Sequence, residues 1–421
     1  MSVKAIRAIR GFKDLLSPES DLLTNIETTS REVFSLCGLK EIRTPIVEKT
    51  ALFARGIGEH TDIVEKEMYS FVDRNGESIS LRPEATAGIL RAVIEHKLYA
   101  TSPILKLFTI GPMFRHERPQ KGRLRQFHQI DVEILGTDSP LADAEVIWMA
   151  WEILNRLELK DIYLEINSLG CPKCRAVHRE DLMLYLEGVY KDLCDDCKRR
   201  AKTNPLRIFD CKNEKCKELM VRAPLIKHAL CPDCADHYGK VLDFLESFEV
   251  PFRQNPYLVR GLDYYTRTTF EIIAPGLGAQ STVAAGGRYD GLIKELGGPN
   301  IPGIGMAIGA ERVLIALDKD KQLDEGIDIF IAALGKEARF ETSSWLPIFR
   351  KEGLKAVMSY EDKSLKAQLK QADKLGAKIA LIVGEDELDE DIVIIRDMKT
   401  SEQIEIDLDD LMDKVLDMCK K

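Results

Sequence analysis

The stretch from Phe114 to Glu133 limits the fold more than any other part of the chain. A strand-like run, 104–115, enters Arg115-His116-Glu117-Arg118; a Gly-containing loop follows, and a second run, 125–135, returns. Between positions 115 and 125, Arg115, Arg118, Lys121, Arg123 and Arg125 stand against one acid, Glu117. Arginine forks bind phosphate bidentately and keep their charge at any working pH. In the return strand the two-residue period puts Phe127, Gln129, Asp131 and Glu133 on one face. A ring, an amide and two carboxylates suit a polar ligand better than a core. A solvated hairpin with a basic tip is the plainer alternative.

The surroundings read as an α+β domain built on an antiparallel sheet. Met68–Val72 and Ser78–Leu81 flank Asn75-Gly76, a strong tight-turn signal. Apolar periodicity marks helices over 17–37, 84–97 and 141–157, so helices should cover one side of the sheet. Composition shifts near 171. Eight of the ten cysteines fall between 171 and 234, with 14 Lys and Arg against 10 Asp and Glu. This basic stretch of helical pieces joined by Cys pairs reads as an inserted subdomain, 171–250, interrupting a catalytic domain formed by 1–170 and 251–325. An acidic, polar linker, 318–326, follows. Beyond it, strands over 327–333, 355–359 and 378–383 alternate with helical stretches. That pattern argues for a small α/β domain, 326–421, with a mostly parallel sheet.

The segment around Arg115 resembles motif 2 of the class II aminoacyl-tRNA synthetases, in the form found in the histidyl-tRNA synthetase family. Other segments agree, in the family's order: Arg10-Gly11-Phe12-Lys13-Asp14, a motif-1-like stretch with Arg43-Thr44-Pro45, Leu81-Arg82-Pro83-Glu84-Ala85-Thr86, Arg260-Gly261-Leu262-Asp263-Tyr264-Tyr265, Gly286-Gly287-Arg288-Tyr289-Asp290-Gly291-Leu292, and the motif-3-like Gly305-Met306-Ala307-Ile308-Gly309-Ala310-Glu311-Arg312. The likeness covers nearly the whole chain. Ala85 stands where the family pattern has Gly, and its methyl would tighten the amino-acid pocket.

The resemblance implies ATP-dependent activation of L-histidine to histidyl-adenylate and transfer of histidine to its cognate tRNA. It implies MgATP as substrate and assigns catalytic roles to Arg115, Arg260 and Arg312. Arg115 would grip the α-phosphate and the substrate carboxylate. Arg260 would sit beside the α-phosphate, the alternative being a surface ion pair with Asp263. Glu117 would meet the adenine amino group, and the base would lie between Phe127 and Arg312. Glu133 and Tyr265 would hold the imidazole, Glu84, Thr86 and Gln129 the α-amino group, and Tyr264 would border the pocket. A second family-level reading is the non-catalytic, synthetase-like regulatory subunit of ATP phosphoribosyltransferase. That paralogue loses the catalytic arginines and the C-terminal domain, both of which are present here.

Partners follow by the same route: tRNA(His), with the C-terminal domain reading the anticodon and the basic insertion lying along the acceptor arm, and a second copy of the chain across motif 1 in an isologous homodimer. Lys363, Lys366, Lys370, Lys374 and Lys378 fall on one helix face and could track phosphates; a solvated lysine face is the alternative. The net charge of −9 does not exclude this, because binding needs only a local patch. No apolar run approaches a membrane span, and no signal-peptide core is visible at the N-terminus, so a cytoplasmic location is expected.

The cysteines stand outside the resemblance. They form four close pairs: Cys171/Cys174, Cys194/Cys197, Cys211/Cys216 and Cys231/Cys234. A reducing compartment disfavours disulfides. Two closed four-cysteine zinc sites, sequential or interleaved, fit the spacing, against metal-free reduced cysteines.

Overall fold

The computed structural model describes residues 5–58, 61–120, 122–262, 264–277, 281–317 and 326–419. Lys121, Asp263 and nearly all of the expected linker lie outside the described residues. The chain divides into two compact units, Met1–Lys321 and Gln322–Lys421.

The first unit is organised by an eight-stranded sheet of β1 (Lys40–Glu41), β2 (Leu105–Phe114), β3 (Gln126–Leu135), β4 (Tyr163–Ser168), β5 (Phe252–Gln254), β6 (Thr266–Ile273), β7 (Thr282–Arg288) and β8 (Gly303–Gly309), in the order β1-β2-β3-β8-β7-β6-β4-β5. The interior pairings are antiparallel and only the edge strands β1 and β5 pair in parallel. Strands β2 and β3 form the long hairpin foreseen around the basic loop, in register from Leu105 opposite Leu135 to Phe114 opposite Gln126.

Alternation along β3 decides which face is which. Ile130, Val132 and Ile134 enter the main core with Ile304, Met306 and Ile308 of β8. Helices α1 (Glu19–Leu36), α2 (Thr86–Glu95) and α3 (Pro140–Arg156) follow the expected periodicity. Ile26, Val33 and Phe34 of α1, and Ile147, Ala150 and Leu154 of α3, close that face. The other face of β3 carries Gln129, Asp131 and Glu133 between Phe127 and Leu135. Near it, Asn75-Gly76 turns the hairpin Ser70–Val72/Ser78–Leu81, to which Val47–Lys49 adds a third strand. Buried Arg82 ties these parts together, donating to Pro112 O (2.9 Å) and Thr44 O (3.2 Å).

Between β4 and β5 the insertion consists of α4 (Pro172–Val189), α5 (Asp195–Thr203), α6 (Glu214–Met220) and α7 (Pro232–Ser247). The last of these packs Val241 and Leu245 into the main core.

The second unit is a five-stranded sheet, β9 (Ile329–Ala333), β10 (Ala356–Met358), β11 (Ile379–Val383), β12 (Ile392–Asp397) and β13 (Gln403–Asp407), in the order β10-β9-β11-β12-β13. The three strands expected from sequence are parallel, but β12 and β13 add antiparallel pairings. A sheet that is only half parallel follows from connections too short for a crossover. Between β12 and β13 the Asp397 carboxylate accepts the N–H groups of Lys399 and Thr400, which fixes a tight turn. Apolar side chains cover both faces of β9 and β11, Ile331 and Leu381 on one and Phe330 and Ile382 on the other.

Candidate active site

A cavity of about 780 Å³ lies over the polar face of β3. Arg115, Glu117, Phe127, Gln129, Glu84, Thr86, Arg260, Tyr264, Tyr265 and Arg312, which sequence analysis scatters over more than two hundred positions, all border it. Glu133 does not. Its carboxylate lies one layer down, accepting from Thr86 Oγ1 (2.6 Å) and from the Tyr289 hydroxyl. A Cβ at Gly305 would come within 1.9 Å of Glu133 Oε2, so the glycine opening the motif-3-like strand makes room for that carboxylate.

One end of the cavity is acidic. Glu84 accepts the backbone N–H groups of Thr86 (2.8 Å) and Ala87 (2.9 Å), holding the first turn of α2. Burial pushes the Glu84 carboxyl up, against the pull of those bonds. Burial, and then the neighbouring Glu84 charge, push Asp131 well up, and burial does the same to Glu133. Gln129 Oε1 and Asp131 Oδ2 are buried without a protein partner. Two carboxylates and an orphan amide oxygen make a site that a cationic ligand would relieve. Tyr264 and Tyr265 stand beside it with ring centroids 4.7 Å apart, and Tyr264 meets Tyr289 edge-on at 5.9 Å. Ala85 belongs elsewhere. It is buried among Ile89, Leu107 and Met113 and does not border the cavity, so its methyl fills core beneath α2 instead of tightening the pocket.

The other end is cationic. Arg115 donates to Pro83 O (2.8 Å), and its guanidinium lies 5.3 Å from the Phe127 ring centre. Arg312 donates to Thr282 O (2.9 Å) and Gly122 O (3.2 Å), bridging β7 and the basic loop. Burial, and then the charges of Arg123 and Arg115, lower the Arg312 pKa. Arginine keeps its proton regardless, so the cluster is a standing demand for an anion. Glu117 is paired with Arg123. Arg260 is paired with Glu271, and its guanidinium lies 5.7 Å from the Tyr265 ring.

Sequence reasoning missed several of these partners. Asp131 was placed on the right face but given no role. Glu271 stands within an apolar-looking strand, and only its inward alternation could have flagged it. The His128 ring lies 2.8 Å from Glu311, whose carboxylate also accepts the His128 backbone N–H. Arg200 and Arg207 of the insertion also border the cavity. In the second unit, Lys366, Lys370 and Lys374 are exposed, whereas Lys363 pairs with Glu361 and Lys378 with Asp328. The eight paired cysteines gather into two groups, Cys171/Cys174/Cys231/Cys234 and Cys194/Cys197/Cys211/Cys216. This order is nested, the first pair joining the fourth, because the N-termini of α4 and α7 meet at the base of the insertion.

Among the described residues no helix is long and apolar enough to cross a membrane. A protein-family model described as histidyl-tRNA synthetase matches residues 11–173 and 210–313, and one described as an anticodon binding domain matches 328–418. The histidine–tRNA ligase of Desulfotalea psychrophila is 50% identical over 406 residues, covering 96% of this chain and 94% of its own. That of Geobacter sulfurreducens is 50% identical over 403 residues, covering 96% and 97%. The crystal structure of apo Staphylococcus aureus histidyl-tRNA synthetase aligns with a TM-score of 0.82 at 37% identity, covering 98% of this chain and 100% of that one.

Proposed function

The chain belongs to the histidyl-tRNA synthetase family, and we propose how its residues divide that family's reaction. It activates L-histidine with ATP to histidyl-adenylate and transfers histidine to its cognate tRNA. The regulatory-subunit reading gives way to this one: the curated relatives at about half identity are histidine–tRNA ligases, and Arg115, Arg260 and Arg312 are all in place.

One observation carries the division of labour: a single cavity has an arginine cluster at one end and buried acids at the other. Adenylation requires the histidine carboxylate in line with the α-phosphorus of ATP, with pyrophosphate leaving on the opposite side. In our reading Arg115 holds both the carboxylate and the α-phosphate, and Arg260 neutralises charge as it develops there. Phe127 and Arg312 sandwich the adenine, Glu117 meets its amino group, and Arg312 extends to the outer phosphates. Magnesium would accompany ATP as part of that substrate and neutralise its outer phosphates. Glu311 is held by His128, and Glu271 by Arg260 and Thr282.

At the acidic end, Glu84, Thr86 and Gln129 take the α-ammonium group, and Asp131 adds a second carboxylate beneath it. Tyr265 reads the imidazole, with Tyr264 as a wall, and Glu133, one layer down, acts on the ring only through the Thr86 and Tyr289 hydroxyls it holds. A buried site that pairs both ring nitrogens rejects isosteres lacking them. Residues 326–421 would read the anticodon, supported by the anticodon-domain match, and 171–250 would face the acceptor arm. Exposed Ile46, Val47, Phe71 and Val72 beside the motif-1-like stretch support a homodimer there, and a cytoplasmic location suits the reaction. The test is histidine-dependent ATP–pyrophosphate exchange with the purified chain, then charging of tRNA(His). Residues 1–325 alone should retain exchange and lose most charging; loss of exchange in that folded fragment would refute the division.

A further inference from the structure

The geometry points to two structural zinc centres that close the insertion in nested order, the inner one holding the segment that faces the substrate cavity. In each group of four cysteines the sulfurs all lie within 4.8 Å of one another. Individual separations are 3.6 Å for Cys171–Cys174, 4.0 Å for Cys171–Cys231 and 3.8 Å for Cys194–Cys211. A tetrahedral ion with zinc–sulfur bonds of about 2.3 Å has sulfur–sulfur edges of about 3.8 Å. A disulfide needs about 2.0 Å, and all eight are free thiols. An iron–sulfur cluster spreads its thiolates over several irons and so holds them farther apart than a single ion does.

Local structure is shaped around these sulfurs. Cys171-Pro172-Lys173-Cys174 and Cys231-Pro232-Asp233-Cys234 are one device used twice: a cap cysteine, proline opening the helix, and a second cysteine in the first turn. Backbone N–H groups of Cys231, Cys194 and Asn213 donate to the sulfurs of Cys174 (3.1 Å), Cys216 (3.3 Å) and Cys211 (3.4 Å). Such contacts orient metal-bound thiolates. Gly170 has φ +62°, and a Cβ there would come within 2.5 Å of Cys174 Cβ, so the chain enters the outer centre at a position built for glycine.

Charge points the same way. Residues 171–234 carry 14 Lys and Arg against 10 Asp and Glu. A divalent ion with four thiolates leaves roughly two negative charges per centre. Two centres would balance the basic excess of this stretch.

The inner centre also reaches toward the chemistry. Arg200 and Arg207, between its two ligand pairs, lie 3.9 Å and 3.5 Å from Asp62 and border the cavity together with Cys194 and Cys211. The apolar cluster around Leu182, Leu186, Leu193, Ile208 and Met220 includes four of the cysteines themselves, Cys194, Cys197, Cys211 and Cys216, so a metal there would staple a small core. The coupling rests on the reading of the cavity as the ATP and histidine site; the metal assignment does not.

The test is elemental analysis and thiol titration of the full chain, purified without chelator or metal-affinity resin. Two zinc per chain, with eight thiols unmasked only on chelation, is the expected result. Cys194→Ser/Cys211→Ser should keep one zinc, be nicked between 194 and 216 about tenfold faster by protease, and show a raised KM for ATP in exchange. If that variant fails to fold, stepwise chelation of the wild-type chain gives the same reading: zinc leaves in two phases, and the new cleavage appears between 194 and 216 first. Absence of zinc with eight freely titratable thiols in a folded, active protein overturns the proposal, as does iron in its place or disulfides seen by non-reducing mass. Two zinc in a chain without exchange activity would leave the centres standing and count against the cavity reading alone.

Discussion

Replacing Arg260 by alanine should lower kcat/KM for ATP–pyrophosphate exchange by about 10²–10³ while leaving the fold intact. Removing one preorganised donor from developing charge costs about 2.7–4 kcal/mol. The competing explanation is structural, because Arg260 is also the partner of Glu271. The two side chains retain 20% and 18% exposure, however, and Glu271 keeps a 2.8 Å hydrogen bond from Thr282 Oγ1. The carboxylate that loses its partner is therefore not stranded, and the stability cost should stay near 1–2 kcal/mol, about what a charged hydrogen bond at a partly wet site contributes. Paired variants separate the two roles. If Arg260 stabilises charge on the α-phosphate, Glu271→Gln should lose less than about tenfold and Arg260→Lys should recover part of the loss. Exchange rates, read beside urea unfolding of each variant, make the comparison. Near-wild-type exchange in Arg260→Ala, or an equal loss in Glu271→Gln, would refute the assignment.

Three further outcomes are expected. Glu133→Gln should raise KM for histidine by at least about tenfold with little change for ATP; equal changes would make Glu133 a purely structural support of Thr86 and Tyr289. The hydrogen bond to Glu311 raises the His128 pKa against burial. Its contribution to stability is therefore full below the unfolded value of about 6.5 and is lost as pH rises through the folded value. The stability gap between wild type and His128→Gln should shrink from pH 6 to about 9, and a pH-independent gap would contradict this. Replacing Lys366, Lys370 and Lys374 together by Gln should reduce the salt slope of tRNA binding by up to about three, whereas an unchanged slope would leave them a solvated face.

What was legible in the sequence was whatever depends on neighbours in the chain. The β2–β3 hairpin, the Asn75-Gly76 turn and the polar face of β3 follow from alternation and turn chemistry, and the cysteine pairs follow from helix-start spacing. What was not legible depends on where distant elements land. The nested cysteine order requires knowing that α4 and α7 start side by side. Ala85 could be assigned to core or pocket only once the direction of α2 was known. Arg260 offered Asp263 as its local partner, yet the structure pairs it with Glu271 on β6.

The signature Gly286-Gly287-Arg288-Tyr289 shows how local and distant demands meet, and it yields a last prediction. Gly286 lets β7 lie close to β8: a Cβ there would be 2.2 Å from Gly305 O. At the end of the strand Tyr289 turns to the Glu133 carboxylate. Arg288 is fully buried and goes instead to Asp143 of α3, with Nε at 3.0 Å. Asp143 also meets His237 of α7, at 2.9 Å. Burial raises the Asp143 pKa, but His237 and Arg288 more than offset it, so the carboxyl stays below its ordinary range and ionised. A histidine-pocket residue is thus anchored, through one buried arginine, to the helix that opens at the outer cysteine group. Arg288→Met would keep much of the volume and strand the Asp143 charge beside His237 alone. Breaking a buried pair from one side costs about 3–5 kcal/mol, which urea unfolding would register. Because Tyr289 follows Arg288 directly, KM for histidine should rise more than KM for ATP. Asp143→Asn/Arg288→Met removes both charges and should recover a large part of the stability. If the double variant is no more stable than the single one, the pair is not what holds this corner together.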